Sequence, residues 1–137
     1  MFNRIAIFSL IATAALAQEG RLAFSAYDKE TGRHLPYTYD LATAELREVA
    51  IPIEADCGEV ALIYDGSRVA VELDADGEKL LYVRPTRLGE VPLHREPFPG
   101  AEPSWVEYTV LAYTISGDLW HWDGVREPVN WEPGVGR

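Results

Sequence analysis

Val60-Ala61-Leu62-Ile63-Tyr64-Asp65-Gly66-Ser67-Arg68-Val69-Ala70-Val71-Glu72-Leu73-Asp74-Ala75-Asp76-Gly77-Glu78-Lys79-Leu80-Leu81-Tyr82-Val83 is the stretch on which the fold turns. Two Asp-Gly pairs divide it into three apolar runs. Both central positions of a type I′ turn need φ > 0, which glycine accepts freely and aspartate tolerates, so Asp65-Gly66 and Asp76-Gly77 read as hairpin turns. The runs between them are short and rich in Val, Leu, Ile and Tyr, residues that suit a pleated surface. Val69, Val71 and Leu73 fall on one face of a strand. A meander over about 59–84 follows, ending at Pro85.

Outward from this meander the same punctuation continues. Trp105 to Ile115 is rich in Val, Thr, Tyr and Ile and is expected as one longer strand, although Ser104 and Glu107 have the spacing of a helix capping box. Gly117-Asp118 turns the chain into Leu119-Trp120-His121-Trp122, which Asp123-Gly124 closes. Upstream, Leu22 to Tyr27 is expected as the first strand, with Lys29-Glu30-Thr31-Gly32 as its turn. Residues 41–49 carry Ala, Glu, Leu and Arg, so a short helix and a hairpin both remain open there. Residues 85–103 contain Pro85, Pro92, Pro97, Pro99 and Pro103 and are expected as loop or edge strand, because proline cannot donate to a ladder. The tail, 128–137, lacks periodicity and is expected to be irregular.

The N-terminus has a different character. Arg4 is followed by an uncharged run of twelve residues from Ile5 to Leu16, then by Ala15-Leu16-Ala17 and the polar Gln18-Glu19. That order matches a cleavable signal peptide over residues 1–17, and a span of about 20 apolar residues would be needed for a permanent membrane helix. The remainder, 18–137, is the size of one domain. It is expected to be all-β and mostly antiparallel, a small β-barrel or β-sandwich of about seven or eight strands. Tyr39-Asp40-Leu41-Ala42-Thr43 resembles one hairpin of a β-propeller blade, but the chain is too short for four blades of about 40 residues each.

Composition removes several function classes. With 12 basic and 22 acidic residues the chain carries a formal charge of −10, which is a poor match for nucleic acid or an anionic membrane and is compatible with a basic protein partner. Cys57 is the single cysteine, so no internal disulfide or zinc–thiolate cluster can form. Its neighbours Glu54 and Asp56 disfavour the thiolate, and a buried, inert thiol is expected. No nucleophile elbow, phosphate loop, dinucleotide fingerprint or His-Glu-x-x-His is present, and no cofactor is called for. Asp74, Asp76 and Glu78 have too few acidic companions for a calcium loop and are expected at a solvated hairpin tip.

Two constellations remain as candidates. All four tryptophans lie in the last 33 residues. Trp120 and Trp122, with Trp105 and Tyr113, either fill a core or form a platform for an envelope glycan or a partner's loop, and the core assignment is favoured. His121 and Asp123, two apart on one strand face, could offer two ligands to a divalent metal, with His34 or His94 as a third. Together these features point to an exported, non-catalytic binding or inhibitor-type module of the cell envelope, periplasmic or secreted. A carbohydrate-binding module using exposed Trp and a small metal-assisted hydrolase are the alternatives.

Overall fold

The computed structural model describes residues 20–86, 96–106, 110–124 and 127–130. Eleven strands follow one another along these residues: β1 (Arg21–Asp28), β2 (Arg33–Asp40), β3 (Glu45–Glu48), β4 (Asp56–Leu62), β5 (Arg68–Ala75), β6 (Glu78–Pro85), β7 (Phe98–Pro99), β8 (Ala101–Trp105), β9 (Leu111–Ile115), β10 (Asp118–Trp122) and β11 (Val129–Asn130). The expected signal peptide, 1–17, lies outside the described residues.

The strands form three antiparallel sheets, each laid down as a meander in chain order: sheet I is β1-β2-β3, sheet II is β4-β5-β6-β7 and sheet III is β8-β9-β10-β11. The all-β expectation holds, and the described residues contain no helix. Sheets stack face to face as in a sandwich. Among the described residues no ladder joins one sheet to another, so they form no closed barrel. First strands sit side by side, β4 against β1 and β8 against β4. Four-stranded meanders stacked in this way around their first strands are the building pattern of propeller blades. Among the described residues sheets II and III are four-stranded meanders of this kind and sheet I is a three-stranded one.

Core residues divide accordingly. Val69, Val71, Leu73 and Tyr82 pack with Ala23, Val49 and Cys57 between sheets I and II. The alternate positions, Ala70, Leu81 and Val83, pack with Leu111, Tyr113 and Trp122 between sheets II and III. A sheet covered on both faces needs apolar residues at both parities, which is why β5 reads as a nearly continuous apolar run. On the other face of sheet I, Phe24, Ala26, Leu35 and Tyr37 form a third cluster.

Several local expectations need correction. Asp76 (φ 52°) and Gly77 (φ 89°) make the two-residue turn expected between β5 and β6. Asp65-Gly66 does not make one. Residues 63–67 form a longer loop in which only Gly66 has positive φ, and Asp65 Oδ1 accepts from the Ser67 amide at 2.9 Å, a local cap that replaces the tight turn. The helix allowed at 41–49 is instead a turn and strand β3. Asp40 Oδ1 accepts from the Ala42 amide at 2.9 Å and the chain reverses through Ala44 at φ 57°, so β3 pairs with β2. The single strand expected over Trp105–Ile115 is two, β8 and β9, paired Ser104 to Ala112 and Trp105 to Leu111. Ser104 is thus in a strand and caps no helix. Residues 85–103 do hold edge strand as expected: β7 lies within them and β8 begins there, both at sheet edges. The tail expected to be irregular from 128 contains β11, which pairs with Trp120 and His121 of β10.

Candidate functional site

Strand alternation places Trp120 and Trp122 of β10 on the face that meets sheet II, beside Tyr113 of β9. Trp122 is 4% exposed and Tyr113 1% exposed. Phe98 meets both rings edge-on, with centroids 5.6 Å from Tyr113 and 5.3 Å from Trp122. Burial pushes the Tyr113 phenol up to about 12. These two rings are core. Trp120 and Trp105 are half-buried, and Trp105 Nε1 donates to the Ala61 carbonyl of β4 at 3.0 Å, tying sheet III to sheet II. Tyr108 and Trp131 lie outside the described residues.

His121 points to the opposite face of sheet III from the tryptophans and is half-buried. His34 cannot join it as a metal ligand, because His34 belongs to sheet I and sheet II lies between them. There its backbone N–H donates to Asp56 Oδ1 at 2.6 Å. His94 lies outside the described residues. Among the described residues no group of three His, Cys, Asp or Glu side chains is placed to hold a metal ion, with His121 and Asp123 included.

Carboxylates gather instead where β4, β5 and β8 meet. Glu72 of β5 is the buried member, 8% exposed, and its Oε1 accepts from the Glu102 amide of β8 at 2.8 Å. Lys79 approaches Glu72 Oε2 at 3.9 Å while sharing its charge with Asp74 at 3.2 Å. Gly58 makes room for that carboxylate: a Cβ there would lie 2.3 Å from Glu72 Oε2. Glu102, in a left-handed conformation at φ 54° within the β8 bulge, accepts from Thr114 Oγ1 at 2.9 Å. Glu59 stands at the rim, and partial burial followed by the charges of Glu72 and Glu102 pushes its carboxyl above the usual range. Cys57 is 4% exposed next to the same junction, and burial, with Asp56 and Glu72 adding, pushes its thiol far up. Burial above all, with Asp56 and Glu72 adding, thus favours the protonated thiol over the reactive thiolate.

A second polar recess lies between sheets I and II, lined by Arg21, Thr38, Asp40, Glu45, Arg47 and Thr86. Its charges are already engaged. Arg21 donates to Thr86 Oγ1 at 2.9 Å and to the Gly66 carbonyl at 3.1 Å, and Arg47 pairs with Glu45. The carboxylate junction was not legible in the sequence, since Glu72 and Glu102 are thirty positions apart. Gly58 beside Cys57 is its one local trace.

No family model matches this sequence, and no curated protein is similar to it in sequence. Solved structures do share its fold. It is similar to the complex of KlAtg21 with the coiled-coil of AgAtg16, at a TM-score of 0.55 and 16% identity over 75% of this chain and 36% of that one. TolB from Acinetobacter baumannii is similar at 0.53 and 18%, over 80% of this chain and 29% of that one. Prolyl endopeptidase, in a study of inter-domain dynamics in catalysis and specificity, is similar at 0.56 and 13%, over 92% of this chain and 23% of that one. This chain thus spans about a quarter to a third of those structures' length, and at such identity the likeness concerns fold alone.

Proposed function

We propose that this chain is an exported, non-catalytic binding module that meets a basic protein of the cell envelope through the carboxylates at the β4–β5–β8 junction. The observation that supports this is the gathering of Glu59, Glu72 and Glu102 at one junction, where burial first and the charges of Glu72 and Glu102 next push the Glu59 carboxyl up. A cationic partner would relieve that repulsion, and the chain's charge of −10 would steer it in. Export rests on the signal-peptide pattern of residues 1–17. A glycan is the second reading, supported by the half-buried Trp105 and Trp120, whose partly accessible rings could meet a sugar.

The test uses protein recovered from the envelope fraction, whose N-terminus is expected at or near Gln18. Titrated calorimetrically with a lysine-rich peptide at low salt, it should bind. Glu59→Gln combined with Glu102→Gln should weaken binding by about fivefold, with the difference lost at high salt. Affinity unchanged by the double substitution, or insensitive to salt, would remove the acidic junction as the site. Binding to envelope glycan that Trp120→Ala abolishes would favour the second reading.

A further inference from the structure

The recess between sheets I and II has its charges paired, yet its hydrogen-bonding capacity is not used up. Thr38 is 8% exposed, and its hydroxyl lines the recess without a hydrogen bond to any described residue. A hydroxyl that close to full burial is normally hydrogen-bonded. Arg47, the cross-strand neighbour of Thr38, uses Nε on Glu45 and keeps both terminal amino groups without a partner among the described residues. Asp40 spends Oδ1 on the Ala42 and Thr43 amides, while its Oδ2 lies 3.9 Å from Arg21, beyond hydrogen-bond length. Arg21 itself is consumed by Thr86 and the Gly66 carbonyl, contacts that pin sheet I to sheet II.

The β2–β3 register arranges these groups as two pairs, Thr38 opposite Arg47 and Asp40 opposite Glu45. Side chains two residues apart share a strand face, so both pairs address the same space, about 6.6 Å apart along the strands. The first pair supplies guanidinium N–H groups and a hydroxyl, which suit a carboxylate. The second sets two carboxylates directly opposite each other, an arrangement that their like charges oppose and an ammonium group relieves. A ligand with a net charge would gain at one pair and lose at the other. The recess encloses about 50 Å³, room for about four water-sized groups, and no aromatic ring lines it. That space is too small for a sugar ring and matches a carboxylate and an ammonium group on a single carbon.

We infer that this recess binds a small zwitterion, an α-amino acid of the size of glycine or alanine. Its carboxylate accepts from Arg47 and from the Thr38 hydroxyl, and its ammonium group donates to Asp40 and Glu45. Both sets of hydrogen bonds are charge-assisted, and neither takes Arg21 from its anchors. Asp40, Glu45 and Arg47 are 31%, 48% and 41% exposed, so water screens them and a dissociation constant of about 1 mM is expected. This site goes beyond the binding of a basic protein and lies on the opposite side of sheet II from Glu102.

NMR titration of the isotope-labelled mature protein with glycine tests this. Saturable shifts are expected in the amide signals of Thr38, Asp40, Glu45 and Arg47. Acetate and methylammonium, each carrying one of the two charges, should bind at least about tenfold more weakly than glycine. Thr38→Val, which keeps the shape and removes the hydroxyl, and Arg47→Gln should each weaken glycine binding by about tenfold, with an unchanged circular dichroism spectrum. Shifts that do not saturate by about 50 mM glycine, acetate binding as tight as that of glycine, or unchanged glycine affinity in the folded Thr38→Val protein would each overturn the zwitterion site. Glu59→Gln with Glu102→Gln should leave glycine binding intact, so a failure of the acidic junction and a failure of this recess are read separately.

Discussion

Along β5 both parities are apolar: Val69, Val71 and Leu73 pack toward sheet I while Ala70 packs toward sheet III. Along β10 they separate, with Trp120 and Trp122 turned to sheet II and Leu119 and His121 turned away. The first pattern belongs to a sheet with neighbours on both sides and the second to a sheet at the end of a stack. Glu72 interrupts the apolar run of β5 at a position facing sheet III, where it spans the gap to the Glu102 amide. A buried carboxylate is tolerated there because a donor and Lys79 meet it. Position within the stack, more than strand propensity, therefore decides what each strand can carry.

The largest test of that contrast uses the two faces of β10. Trp122→Ala empties a site that is 4% exposed and should cost about 3–5 kcal/mol in denaturant unfolding, a large share of a domain's stability. Leu119→Ala, one residue earlier and outward, should stay within about 0.5 kcal/mol when measured on dilute protein. Comparable losses at the two positions would mean that sheet III is covered on both faces within one chain.

A smaller effect is expected at Cys57, between sheets I and II. Cys57→Ser places a hydroxyl where the thiol is 4% exposed and should cost about 1–3 kcal/mol. A thiol reagent should label the native protein slowly and the denatured protein at once. Fast native labelling would contradict the burial that raises its pKa.

The smallest effect concerns the rim of the acidic junction. Because the folded state raises the Glu59 pKa, the charged form is disfavoured by folding; the resulting destabilisation is complete above the folded pKa and fades as pH falls through it. Glu59→Gln should therefore stabilise at neutral pH, by about a few tenths of a kcal/mol after solvent screening, and have no effect in acid. Stabilisation that persists at low pH would point to packing instead of charge.

The sequence made individual hairpins legible where the backbone itself demands a residue type. Asp76-Gly77 occupies two consecutive positive-φ positions, and few other pairs would. The same dipeptide at 65–66 misled, because an aspartate can also cap a longer loop through its side chain. Residues 105–115 are rich in Val, Thr, Tyr and Ile, and no Gly, Pro, Asn or Asp marks the reversal between Trp105 and Leu111. The stacking of three meanders was illegible for a different reason. Short strands with regular turns suit a sandwich, a barrel or a blade equally, and the contacts that distinguish them join positions far apart in sequence. Of the aromatic candidates, Trp122 and Tyr113 were correctly favoured as core. Alternation from Trp120 places Leu119 opposite the rings, where it is exposed.

The edges of sheets II and III share one further property. Among the described residues, β4 is bulged between Cys57 and Val60, β7 is a two-residue strand containing Pro99, β8 is bulged and contains Pro103, and β11 covers Val129–Asn130. The edges β4, β7 and β8 thus lack, among the described residues, the long, flat row of free amides and carbonyls that templates another chain's strand. Crowded copies are thereby denied the simplest route to fibres, growth by edge-to-edge strand addition.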